Sequence, residues 1–197
     1  MIRAISLALG LSVAATQVSA ADSVFWKTVG NWDVSIDTSV GQGCFASATW
    51  KSGTFLRIGL NPEVDNFYLL IGNEKWSTLR AGQEYDIQIR FDNRAPWDVS
   101  ANGFQFNDGG TVYLHAASTK DEFIKEFMRL SRMKISFQGK DIDTLRLTGS
   151  SRAFKEVLAC QDAADKRNES ADPFAGTSVT TPAPPSTGRK SADPFAD

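Results

Sequence analysis

Between Val24 and His115, apolar and polar residues alternate with a period of two through most of the chain. In "WDVSID", Trp32, Val34 and Ile36 fall on one side, and Asp33, Ser35 and Asp37 on the other. "YDIQIRF" does the same: Tyr85, Ile87, Ile89 and Phe91 point one way, Asp86, Gln88 and Arg90 the other. That period belongs to strands with one buried and one wet face. "CFASATW" and "TFLRIGL" flank Lys51-Ser52-Gly53, which reads as a hairpin turn. "NFYLLIG" is more continuously apolar and predicts a central strand. Asn102-Gly103 and Asp108-Gly109-Gly110 then separate three short strands, "WDVSA", "FQF" and "TVYLHA".

The period changes at Thr119. "TKDEFIKEFMRLSRM" puts Phe123, Phe127 and Leu130 on one helical face, widened by Ile124 and Met128. Thr119 and Glu122 have the spacing of a capping box at its start. "KISFQGKDIDTLRL" predicts a hairpin turning at Gly139-Lys140. A second helix follows Ser150-Ser151, with Ala153, Phe154, Val157, Leu158 and Cys160 inward. Residues 21–161 therefore predict one α+β domain, mostly antiparallel β, a barrel or sandwich with two short helices.

Past Gln161 the pattern stops. Residues 162–197 hold five of the seven prolines, and their only large apolar residues are Phe174, Val179 and Phe195. Such a segment buries too little surface to offset its ordering entropy, so a disordered, proline-rich C-terminal tail is expected. At the other end, Arg3, the apolar run Ile5–Ala15 and the small residues Val18-Ser19-Ala20 have the layout of a secretory signal peptide, residues 1–20. The apolar run is too short to span a bilayer, and no later segment qualifies.

Charge and cysteine content narrow the picture further. The formal charge is −2, and −3 once residues 1–20 with their single Arg are removed. Without a basic stripe to neutralise phosphates, nucleic acid is not an expected partner. Cys44 and Cys160 are the only cysteines, and in an exported chain they are expected to form a disulfide. With one histidine and two cysteines, neither a metal centre nor a cofactor is expected.

No reaction announces itself. His115, the only histidine, lies in a predicted strand, and the chain has no G-x-S-x-G elbow for it to serve. Asp141 and Asp143 share a predicted strand face and would be the acid–base pair of an enzyme. "GQGC" lacks the Lys-Ser/Thr of a phosphate loop. The five tryptophans offer another chemistry, because exposed rings make platforms for sugars or peptides. Trp32 and Trp50 share faces with core residues, whereas Trp76 and Trp97 lie beside turns and are the candidate ligand contacts.

The tail holds a repeat. "SADPFA" occurs at Ser170–Ala175 and again at Ser191–Ala196. In each copy Asp-Pro sets a turn that presents one phenylalanine. The unit resembles the Asp-Pro-Phe peptides bound by clathrin-adaptor appendage domains in its mode of recognition. Asp172, Pro173, Phe174, Asp193, Pro194 and Phe195 are thus the candidate partner-binding residues. A protein partner, a sister subunit or the chain's own domain are the possible receptors. The expected function is an exported, non-enzymatic interaction protein, periplasmic or extracellular. The alternative is a periplasmic sugar- or peptide-binding domain with the tail as a spacer.

"GNWDVSID…GCFASA" near the start and "LRLTGSSRAFKEVLAC" near the end are similar to small exported proteobacterial proteins. The invasion-associated locus B family is the nearest named one. The resemblance covers the two ends of the domain. It implies a periplasmic or surface location and a non-catalytic role, and it transfers no site residues.

Overall fold

Hairpins follow one another from the first strand of the computed structural model, which describes residues 23–106 and 109–171. The expected signal segment, Asp108 and all but the first two residues of the first tail repeat lie outside that range, as does the whole of the second repeat. The strands β1 (Ser23–Val29), β2 (Trp32–Asp37), β3 (Gly43–Thr49), β4 (Phe55–Asn61) and β5 (Asn66–Gly72) form an antiparallel meander. Then β6 (Glu84–Phe91) and β7 (Trp97–Phe104) form a hairpin, and β8 (Tyr113–Ser118) slots between β5 and β7. Helix α1 (Asp121–Arg129) leads to β9 (Arg132–Phe137) and β10 (Lys140–Arg146), and α2 (Ser150–Ala171) closes the domain. All ten strands belong to one antiparallel sheet in the order β1-β2-β3-β4-β5-β8-β7-β6-β9-β10.

The architecture is thus a single curled sheet rather than two stacked ones. Its terminal strands β1 and β10 share no ladder; side chains of β2 and of the residue after β3 reach the end of β10 and just past it instead. The Trp50 indole donates to the Arg146 carbonyl at 3.0 Å, and the Trp32 indole to the Thr148 carbonyl at 3.1 Å. Inward residues of β2 to β10 meet both helices in one core that includes Trp32, Ile58, Ile71, Phe91, Ile135 and Phe127, all fully buried. Phe127 meets Trp32 edge-on at 5.5 Å and Phe123 meets Phe91 at 5.1 Å, so α1 serves as the plug of the curl. Trp50, half-buried, meets Trp32 edge-on at 5.6 Å. The disulfide Cys44–Cys160 ties β3 to α2. In the chain-entropy model a loop of that length stabilises by up to about 4–5 kcal/mol. Among the described residues no helix is long and apolar enough to cross a membrane.

Four local expectations need correction. The capping box does not form: Lys120 is the N-cap of α1 and has no side-chain cap, while Glu122 pairs with Lys125 at 2.7 Å. The carboxylates of Asp121 and Glu122 still favour the start of the helix through its dipole. Asn102-Gly103 is no turn but the interior of β7. Gly103 exchanges hydrogen bonds with the 82–83 segment, and a Cβ there would strike the Arg80 carbonyl, so the glycine marks a close backbone approach. The last hairpin turns at Gln138-Gly139, whose φ of 50° and 74° give the twist that a two-residue loop needs. Finally, α2 runs ten residues past Gln161, and Leu158 on it is 44% exposed rather than inward.

Candidate functional site

Strand alternation leaves β2, β3, β4, β5 and β8 with a second face, and that face is not simply wet. Phe45, Tyr68 and Leu70 form a separate buried cluster there, with Phe106 and Tyr113 against it. Gly59 makes room: a Cβ on it would lie 2.6 Å from Phe45 Cβ and 2.8 Å from the Tyr68 ring. Into this cluster β4 sends Arg57, 7% exposed, whose guanidinium carbon sits 3.5 Å from the Phe45 ring centroid. Its Nε donates to the Tyr68 hydroxyl at 2.8 Å, and its Nη2 pairs with Asp37 Oδ2. The other oxygen of Asp37 accepts from the Ser39 amide at 2.8 Å and the Ser39 hydroxyl at 2.6 Å. Asp37, expected to be solvated beside Asp33 and Ser35, is instead 4% exposed.

A recess of 160 Å³ opens over this pair, lined in part by Val40, Asn66, Tyr68, Phe106 and His115. Burial pushes the Tyr68 phenol up to about 12, against the pull of Arg57. Desolvation lowers the His115 imidazole below its ordinary value, favouring the neutral ring 6.1 Å from Tyr68. Asn66, which borders both this recess and the neighbouring groove, has its Oδ1 buried with no hydrogen-bond donor among the described residues. The recess therefore offers neutral donors and acceptors beside aromatic walls, with its two charges, Arg57 and Asp37, already paired.

The candidate acid–base pair, Asp141 and Asp143, does not assemble. A bulge between Asp141 and Asp143 turns the two carboxylates to different neighbours. Asp141 binds Lys134 at 2.6 Å and Ser136 at 3.1 Å. Asp143 reaches the β3–β4 hairpin, accepting from Thr54 at 2.5 Å and Ser52 at 2.7 Å. Burial works to raise the Asp143 carboxyl, but these hydroxyls and the Thr144 amide outweigh it and hold it below the ordinary range. His115 faces the aromatic cluster on the outer face and has neither aspartate among its ring or hydrogen-bond partners.

The two tryptophans singled out as platforms are half-buried and packed against the main core. Trp97 donates its indole N–H to Glu126 at 2.8 Å and lies edge-on to Phe123 at 5.6 Å, fastening α1 to β7. Trp76 takes part in the turn after Asn73. Neither borders the recess, and a flat exposed ring is not what either presents.

A second concavity, 510 Å³, runs between α1 and α2 beside the β4–β5 turn. Its floor is apolar, with Phe67, Ile124, Met128, Phe154 and Leu158, and its rim carries Asp65, Asp121 and Asp165. Of the tail's candidate residues, Asp172, Pro173, Phe174, Asp193, Pro194 and Phe195 all lie outside the described residues. What is described is the approach to them. Asp165 to Ser170 are all exposed helix, and α2 ends one residue before Asp172-Pro173.

Sequence reading missed Arg57, Asp37 and Tyr68. The available signal was β5, whose unbroken "FYLLI" can only be satisfied by burial on both faces. No group of three or more His, Cys, Asp or Glu able to hold a metal occurs among the described residues. No protein-family model, curated protein or solved structure matches the chain.

Proposed function

We propose that the chain is an exported, non-enzymatic interaction protein that carries two Asp-Pro-Phe peptides to a protein partner. One observation carries this reading: α2 leaves the body as a fully exposed helical stalk over Asp165–Ser170 and hands over directly to the first repeat. Beyond Asp165, which borders the groove and accepts from Gln161 at 2.8 Å, the exposed helix costs ordering entropy, and holding a peptide away from the body is a use for it. In this scheme Phe174 and Phe195 fill pockets, Pro173 and Pro194 pre-set the turns, and Asp172 and Asp193 accept hydrogen bonds. The periplasmic or surface location implied by the likeness to the invasion-associated locus B family belongs to the same proposal. The test is capture from a native envelope fraction with residues 21–197 as bait, beside a bait carrying Phe174→Ala and Phe195→Ala. A partner held only by the intact tail supports the reading; identical captures remove it.

The orphaned Asn66 acceptor favours a second reading, a ligand-binding domain for a small neutral polar molecule such as a sugar, with the tail as spacer. The contacts would then be Asn66, Tyr68 and His115 rather than Trp76 and Trp97. Calorimetric titration with neutral monosaccharides, repeated on Asn66→Ala, decides it: heat lost in the variant supports the site, and no heat with wild type excludes it.

A further inference from the structure

The groove between α1 and α2 and the second repeat match each other in reach, charge and shape. Leu158, the exposed large apolar side chain of α2, lines the groove with Met128 and Ile124. Along α2 the groove extends from Phe154 to Asp165. At about 1.5 Å per helical residue, Leu158 lies roughly 20 Å back from the helix end at Ala171, and Asp165 about 9 Å back. Phe174 is three residues past Ala171 and reaches at most about 10 Å, so it gets no deeper than Asp165. Phe195 is 24 residues past Ala171 and has a maximal reach of about 80 Å. Only the second copy can bring its ring to Leu158 and Met128.

Charge makes the same choice. Asp65, Asp121 and Asp165 ring the groove against Lys125, which is engaged by Glu122. Arg189-Lys190 directly precede the second copy, beyond α2, whereas the basic pair before the first, Lys166-Arg167, is fixed on α2 and is followed by Asn168-Glu169. A phenylalanine entering an apolar floor is held in proportion to the apolar area it removes from water. Tethering raises its local concentration to the order of millimolar, so a weak site suffices.

We infer that the α1–α2 groove is the docking site of the chain's own second SADPFA repeat, with Phe195 against Met128 and Leu158 and Arg189-Lys190 against the acidic rim. The inference rests on the tail being a recognition element, and it makes the two identical copies unequal. Phe195 is held by the domain, and Phe174, on its stalk, is left for the partner.

After removal of residues 1–20 the chain has two methionines, Met128 in the groove and Met133 fully buried in the core. Methyl-labelled methionine therefore gives one reporter and one control in the protein of residues 21–197. Docking predicts that Phe195→Ala moves the Met128 methyl resonance by loss of the ring current and leaves Met133 in place. Phe174→Ala should move neither, and the wild-type Met128 position should not depend on protein concentration. A synthetic peptide of residues 189–197 should return Met128 of the Phe195→Ala protein toward its wild-type position in a saturable way. Asp121→Asn with Asp165→Asn should weaken that return several-fold. Coincident Met128 positions in wild type and Phe195→Ala overturn the inference. So does an equal shift from Phe174→Ala, and a concentration-dependent shift assigns the groove to a second copy instead. The partner capture is read separately: its failure with an intact Met128 shift removes the partner and keeps the docking.

Discussion

The two faces of the β2–β5 strands follow one alternation rule and arrive at opposite compositions. The inner face buries aliphatic and aromatic side chains around α1, and among the described residues the buried charges, Asp37 and Arg57, lie on the other side. The outer face buries fewer apolar side chains and sets a guanidinium and a carboxylate among them. Closely packed apolar surface stabilises in proportion to its area. A buried ion pair returns little net stability, because desolvating both charges offsets their attraction. The inner face is thus what holds the molecule together, and the outer face keeps charges that packing alone does not require.

Breaking each face tests that contrast. Phe127→Ala should cost about 3–5 kcal/mol, since the ring is fully buried at the centre of the curl; urea unfolding with unchanged slope is the check. On the outer face, Arg57→Met or Asp37→Leu alone should each cost about 3 kcal/mol by leaving a buried charge unpaired. The double substitution should recover most of that loss. If the double variant instead stays as unstable as the singles, the pair holds the fold and the contrast fails. Asp143→Asn should cost about 1–2 kcal/mol by weakening the bonds from Ser52 and Thr54. It should open the contact between the β3–β4 hairpin and β10, read as faster amide exchange at Thr54.

The smallest effect is a pH dependence. His115 has a folded-state value below its unfolded value near 6.5, because burial disfavours the charged ring. The unfolded chain then binds more protons between the two values, so stability is full above about 6.5 and falls as pH drops through that window. Replacing His115 with Gln should flatten the slope, and an NMR titration of the single imidazole should give a midpoint below 6.5.

Much of this fold can be read from local pattern, and the particular residues say why. Trp32, Val34 and Ile36 face inward as their spacing demands, and so do Ile87, Ile89 and Phe91. The Cys44–Cys160 bond follows from having only two cysteines. Reading failed where a residue's neighbour is distant in sequence. Gly103 looks like a turn residue until the Arg80 carbonyl is seen against it. Asp37 looks solvated until Arg57 arrives from two strands away. Trp97 looks exposed beside Pro96 until Glu126 and Phe123 of α1 cover it. Asp141 and Asp143 look paired until a single bulged residue separates them. The groove needed both helices and the β4–β5 turn together, so no window of sequence contains it.

The cross-link between β3 and α2 also sets a timetable. Cys44 precedes Cys160 by 116 residues, and a chain made from its N-terminus exposes the first thiol long before the second exists. Within one molecule there is no wrong pairing to make, so isomer shuffling is not a hazard here. The hazard lies between molecules, while the earlier thiol waits. Yield of the oxidised monomer should therefore fall as nascent chains crowd together, and the errors should be covalent dimers joined at Cys44.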